Sequence, residues 1–228
     1  TSADSDTEFY KFHSGAPSSD LYLSAVQELI THSNKLMNDF NQSELSLEQV
    51  EQPNINAIET NQHLISAYSD ALLEQVSLNN NIAVLDADLI KDTGIAPIKE
   101  HYPEQFLECG IAEQDMVSQA GGMALKGMIP IVHSFACFLS TRANEQIYNN
   151  ATELTKIIYV GSLAGVLPGG PGHSHQSVRD ISALGGMPGL TLMEPSCEKE
   201  VAILLDWAIN HSIESSYIRL TSIPCNIS

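Results

Sequence analysis

Residues 82–89 read Ile82-Ala83-Val84-Leu85-Asp86-Ala87-Asp88-Leu89, four apolar residues in a row followed by two acids on either side of an alanine. Asn79-Asn80-Asn81 leads into the run, and asparagine clusters form turns. A short apolar run without polar alternation, bounded by turn residues, marks a strand buried on both faces. Upstream, Leu64, Ile65, Tyr68, Ala71, Leu72 and Val76 fall on one helical face. Downstream, Met116, Val117, Ala120, Met123 and Ala124 repeat that spacing, and Ile129-Pro130-Ile131-Val132 reads as a second strand. Ile157–Val160, Leu190–Met193 and Tyr217–Leu220 read as further strands, with a helix on Val201, Leu204, Leu205 and Ala208. Apolar strands alternating with amphipathic helices predict an α/β domain built on a doubly wound, mainly parallel sheet. Ligands of such sheets bind beyond the carboxyl ends of the strands, so chemistry is sought in the loops that follow them.

That texture begins near Asn61. Residues 1–60 are polar and acidic; Ser18-Ser19-Asp20 ahead of Tyr22, Ala25, Val26, Leu29 and Ile30 reads as a cap and a helix. From about Asn41 to Thr60 apolar residues thin out into a linker. The expected organisation is a helical arm and linker over 1–60 and one globular domain over 61–228.

The 228 residues carry 28 acids against 10 Lys and Arg, a net charge of −18, and are 43% hydrophobic. Phosphate-tracking surfaces need clustered cations, which argues against nucleic acid, and no polybasic run invites an anionic membrane. Cys109, Cys137, Cys197 and Cys225 form no CxxC pair and no metal-ligand pattern with histidine. They read as reduced thiols of a cytoplasmic protein. No stretch approaches the ~20 apolar residues of a membrane span. Thr1 and its polar neighbours show no signal-peptide pattern, and the missing initiator Met suggests trimming or a piece of something longer.

Four segments after strands stand out. Asp86 and Asp88 are either half of a metal site or, more commonly, a cap for the next helix. In Glu108-Cys109-Gly110-Ile111-Ala112-Glu113 a strand ends, Gly110 allows a tight turn, and Glu113 opens a helix whose dipole favours an acid there. Phe135 and Phe138, at i and i+3 on a helix start, share a face and are either core or a wall for a flat ring. The loop Leu167-Pro168-Gly169-Gly170-Pro171-Gly172-His173-Ser174-His175-Gln176 is too rich in Gly and Pro to bury a core. Its histidines fit hydrogen bonding or proton transfer better than a metal, for which the loop holds no Cys or carboxylate partner.

Taken in order and spacing, Leu85–Leu89, Phe106–Met116 with its Ile111-Ala112-Glu113-Gln114, Ser134–Phe138, Gly172–Gln176 and Met193-Glu194-Pro195-Ser196 resemble the pyrimidine-binding domain of transketolase-type thiamine-diphosphate enzymes over roughly 62–221. Phe12-His13-Ser14-Gly15-Ala16-Pro17-Ser18 is similar to the segment that closes the preceding diphosphate-binding domain. The resemblance implies that Glu113 faces the ring nitrogen of the cofactor's aminopyrimidine, exchanges a proton with it, and is shielded from water. It implies that Phe135 and Phe138 flank that ring, that Asp86 belongs to the cofactor-binding set, and that His175 lies near a ketose- or aldehyde-type substrate. Family members bind Mg²⁺ and diphosphate through a G-D-G…N motif in another domain, and this chain has none. A diphosphate-binding domain or subunit is therefore expected as partner, in a homo- or hetero-oligomer such as a dimer, with no metal ligands here.

Some family groups are replaced. Leu64-Ile65-Ser66 holds no arginine, Gly161-Ser162-Leu163-Ala164 no histidine, Pro171 stands for an aspartate, and Thr221-Ser222-Ile223 follows Arg219 without a second arginine. Those groups grip the sugar and its phosphate, so the pattern points to a thiamine-dependent transfer on an unusual, unphosphorylated substrate. The alternatives are a beta-type subunit of an oxoacid dehydrogenase, a deoxyxylulose-phosphate synthase-like enzyme, or a non-catalytic scaffold domain. Ile111–Gln114 and the His175-Gln176 pair favour the transketolase side.

Overall fold

The computed structural model describes residues 19–45 and 62–224, which fall in two compact units divided after residue 57. The segment Phe12–Ser18, most of the expected linker and Cys225 lie outside the described residues. In the first unit one helix, α1 (Ser19–Asp39), is ended by Asn41 in the left-handed region at φ +53°. Gln42 N–H then bonds back to Met37 O at 2.8 Å, a helix-stop geometry that asparagine tolerates.

The second unit is a six-stranded parallel sheet in the order β2-β1-β3-β4-β6-β5. The strands are β1 (Ile82–Asp86), β2 (Phe106–Glu108), β3 (Ile129–Phe135), β4 (Ile158–Ser162), β5 (Leu190–Met193) and β6 (Ser215–Arg219). Around them run α2 (Leu64–Leu78), α3 (Ala96–His101), α4 (Glu113–Ala124), α5 (Ala136–Arg142), α6 (Asn144–Thr152), α7 (Asp180–Leu184) and α8 (Glu198–Asp206), the last continued by a wider turn over Trp207–His211. Alternate residues of β1 explain its unbroken apolar run. Ile82 and Val84 pack with Tyr68 and Leu72 of α2 and Val201 and Leu205 of α8. Ala83 and Leu85 pack with Met116 and Val117 of α4, Leu139 of α5 and Ile147 of α6. Both faces are thus covered, as a parallel sheet requires, and the α/β expectation holds.

β3 runs three residues further than its apolar run predicts. His133 and Ser134 look like loop residues, yet both are fully buried because their polar atoms are satisfied inside. The His133 ring bonds the Tyr68 hydroxyl at 2.6 Å and the Leu85 carbonyl at 3.0 Å. A carbonyl only accepts, so Nδ1 carries the proton and Nε2 accepts from Tyr68. The sheet order turns about between β1 and β3, which opens a crevice beyond their carboxyl ends. Gly161 of β4 lies against the start of α5. A Cβ there would lie 2.9 Å from the Ala136 backbone and 2.5 Å from the Tyr217 hydroxyl, so only glycine lets α5 start this close to the sheet.

Candidate active site

Every expected site residue sits at the carboxyl edge of the sheet. Asp86 ends β1, Glu113 follows β2, Phe135 ends β3 and Phe138 lies one helical turn on. His175 is in the long loop after β4.

Glu113 is placed by a chain of local constraints. The Glu108 carboxylate accepts the N–H groups of Asp88 and Gly110, each at 2.9 Å, tying the turn after β1 to the turn after β2. Gly110 adopts φ +70°, a conformation glycine takes without strain, and α4 then begins at Glu113. The side chain is only 3% exposed. Its Oε1 accepts from Arg142 at 2.8 Å and Ser134 at 3.3 Å, and no described residue bonds Oε2.

Arg142 also covers the Phe138 ring, its guanidinium carbon 3.8 Å from the centroid. Phe138 lies 5.6 Å from Phe135, and the His175 ring meets both edge-on at 5.1 and 5.9 Å. Glu113, Phe135, Phe138 and His175 thus form one cluster, in which Arg142 links Glu113 to the Phe138 ring. Arg142 was not singled out in the sequence, although its i+4 spacing from Phe138 put it on the same helical face.

Asp86 stands apart from these rings. It caps a turn, since the next helix starts only at Ala96: Leu89 N–H reaches Oδ2 at 2.7 Å and the Thr93 hydroxyl reaches Oδ1 at 3.5 Å. Among the described residues no group of His, Cys, Asp or Glu could hold a metal ion.

Burial pushes the Asp86 carboxyl up to about 6, helped by the Glu108 charge and opposed by the Leu89 N–H. Its protonated form is therefore favoured by folding, and this stabilisation is lost as pH rises from about 4 through 6. His133 behaves oppositely: burial lowers it to about 4, so its stabilisation is complete above its ordinary value of about 6.5 and fades as pH falls. Asp86→Asn keeps an acceptor for Leu89 but removes one of the two slopes. Relative to the parent, the variant should lose about 2 kcal/mol between pH 6.5 and 4, because each tenfold gain in proton affinity on folding is worth about 1.4 kcal/mol. Urea unfolding across that range measures it, and a constant difference would mean that Asp86 ionises like an exposed carboxylate.

Beside the aromatic cluster opens a cleft of about 440 Å³, bounded by α5 and the loop after β4, with Arg142, His173, Gln176, Ser177, Arg179 and Asp180 on its walls. The loop is pinned at both ends. Ala164 N–H bonds Leu220 O at 3.0 Å and Ser177 N–H bonds Gly165 O at 2.8 Å. Asp180, 1% exposed, accepts from Tyr217 at 2.9 Å and Arg219 at 2.7 Å. Arg219 also holds Glu194 and the Ser177 carbonyl, so its charge is spent inside the fold. Cys137, at the cleft wall, is pushed up to about 11 by burial and stays a neutral thiol at neutral pH.

The family model for the pyrimidine-binding domain of transketolase matches residues 61–223. The chain belongs to this family. Curated relatives include the 1-deoxy-D-xylulose-5-phosphate synthase of Clostridium botulinum (strain Alaska E43 / Type E3), 31% identical over 163 residues, which are 71% of this chain and 26% of that protein. The synthase of Treponema pallidum subsp. pallidum is 30% identical over 143 residues, 63% of this chain and 22% of that one. The match thus spans about a quarter of the length of these relatives. Among solved structures, a split-gene transketolase described as an inactive beta4 tetramer superposes with a TM-score of 0.63 at 30% identity, over 72% of this chain and 53% of that one. Transketolase from Campylobacter jejuni subsp. jejuni NCTC 11168 superposes at 0.66 with 18% identity, over 75% and 28%, a likeness of fold alone. The Glu113 cluster fits a pyrimidine ring: it offers a buried carboxylate with one oxygen unused, next to two aromatic rings.

Proposed function

We propose that this pyrimidine-binding domain is the cofactor-activating part of a thiamine-diphosphate-dependent, transketolase-like transferase of ketol or aldehyde units. It works in the cytoplasm, with a second domain or chain holding Mg²⁺ and the diphosphate in an oligomer. The observation that carries this reading is the meeting of Glu113, Phe135, Phe138 and His175, drawn from three separate segments of the chain. When bound, thiamine diphosphate supplies a nucleophilic carbon; the protein supplies position and electrostatics. Glu113 holds and moves a proton at the pyrimidine ring nitrogen, through the oxygen that Arg142 and Ser134 leave unused. Phe135 and Phe138 orient the ring, where offset or edge contact contributes about 0.5–1.5 kcal/mol beyond burial. His175 serves as hydrogen-bond or proton partner to the substrate. The split-gene relative, whose beta4 tetramer is inactive, supports the need for a second chain. A scaffold role would leave a buried, ion-paired Glu113 without purpose.

The test is calorimetry with thiamine diphosphate and Mg²⁺. The chain alone should show no binding in the micromolar range, and a partner containing G-D-G…N should restore both binding and exchange of the cofactor's C2 proton. Micromolar binding by the lone chain would show that the diphosphate is held here after all.

A further inference from the structure

The cleft beside the aromatic cluster holds one cation that nothing among the described residues neutralises. Of its two arginines, Arg142 is paired with Glu113. Arg179 is exposed and makes no ion pair among the described residues. Asp180, the acid next to it, is turned to Arg219 and Tyr217 in the interior. On the same wall Ser177 is 1% exposed, and its hydroxyl has no hydrogen-bond partner among the described residues. A buried hydroxyl without a partner costs free energy unless something arrives to satisfy it. The chain around this cation carries a net charge of −18, so an unspent arginine at a concave site is a local reversal of sign that draws anions in.

We propose that Arg179 and Ser177 form a binding subsite for the carboxylate of a small substrate. A guanidinium meets a carboxylate in a two-pronged geometry and matches its single charge one for one. A phosphate dianion would leave one charge uncompensated in an acidic protein. This agrees with the loss of the family's phosphate-gripping groups at Ile65, Leu163, Pro171 and Ile223. The subsite rests on the transferase reading only for naming its ligand a substrate; carboxylate binding itself needs no cofactor and no partner chain.

The experiment titrates the 228-residue chain with three matched probes, glycerate, glycerol phosphate and glycerol, following the Arg179 Nε–H and Ser177 amide signals by NMR. Glycerate should shift both signals saturably, and glycerol should not. Arg179→Gln should weaken glycerate binding about tenfold or more, the loss of one charge-assisted pair. Arg179→Lys should recover part of it, and Lys199→Gln on α8 should change nothing. Arg179 is exposed, so an unchanged melting temperature separates lost binding from lost fold. The proposal is overturned if Arg179→Gln binds glycerate like the parent, or if glycerol phosphate binds tenfold more tightly than glycerate. No glycerate binding by a chain that still supports C2-proton exchange with its partner removes this subsite alone. Binding without exchange removes the transferase reading alone.

Discussion

Glu113→Gln should slow turnover of the assembled enzyme by about 10²–10⁴-fold, the usual worth of a general acid–base group. Glutamine keeps the shape of the side chain and an oxygen for the Ser134 hydroxyl, but cannot exchange a proton with a ring nitrogen. It also takes a charge from Arg142, whose guanidinium side chain is 42% exposed and can turn to water. The stability cost should therefore stay near that of a half-exposed pair, about 1 kcal/mol. If Glu113 were an ordinary first-turn acid, the swap would remove about 0.3–1 kcal/mol of helix stability and spare the rate. Melting temperature cannot separate these accounts; C2-proton exchange of the cofactor in the presence of the partner chain can. Exchange within about threefold of the parent would end the catalytic reading of this residue.

The second large effect is on stability. Asp180→Ala removes the carboxylate that holds Arg219 and Tyr217 in the interior, and Arg219 is only 12% exposed. Breaking one side of a buried ion pair costs about 3–5 kcal/mol because the other charge is left behind. Glu194 still contacts Arg219, which favours the lower end. At about 3 kcal/mol the melting temperature of a chain this size falls by roughly 6–12 °C. Asp180→Asn, which keeps an acceptor for both donors, should recover part of that. The loop should suffer as well, since Arg219 also holds the Ser177 carbonyl at its base. A drop below about 1 kcal/mol for the alanine variant, a third of the low end of that range, would mean that Arg219 finds water or Glu194 without loss.

Runs such as Ile82–Leu85 and Ile157–Val160 were legible as strands because burial on both faces leaves no room for polar alternation. The end of β3 was not legible, because whether His133 and Ser134 sit inside depends on Tyr68 and Glu113, far away in sequence. The short helices α3, α5 and α7 span too few turns for a periodicity to emerge. At the candidate site, Glu113 and the two phenylalanines stood out by order and spacing, whereas Arg142, Asp180 and Arg219 matter through pairings of 29 and 39 residues' separation. Arg142 left a trace in its spacing from Phe138; Asp180 left none. The proline and glycine of the loop announced its place in the chain but not the arginine at its end.

The outermost strands of the sheet are also its shortest, three residues in β2 and four in β5. An open edge is a template for adding foreign strands, and its danger grows with length and flatness. Edges this brief offer an incoming chain only a few backbone bonds before the ladder stops. The domain should therefore tolerate crowded storage and high expression without fibril-like stacking.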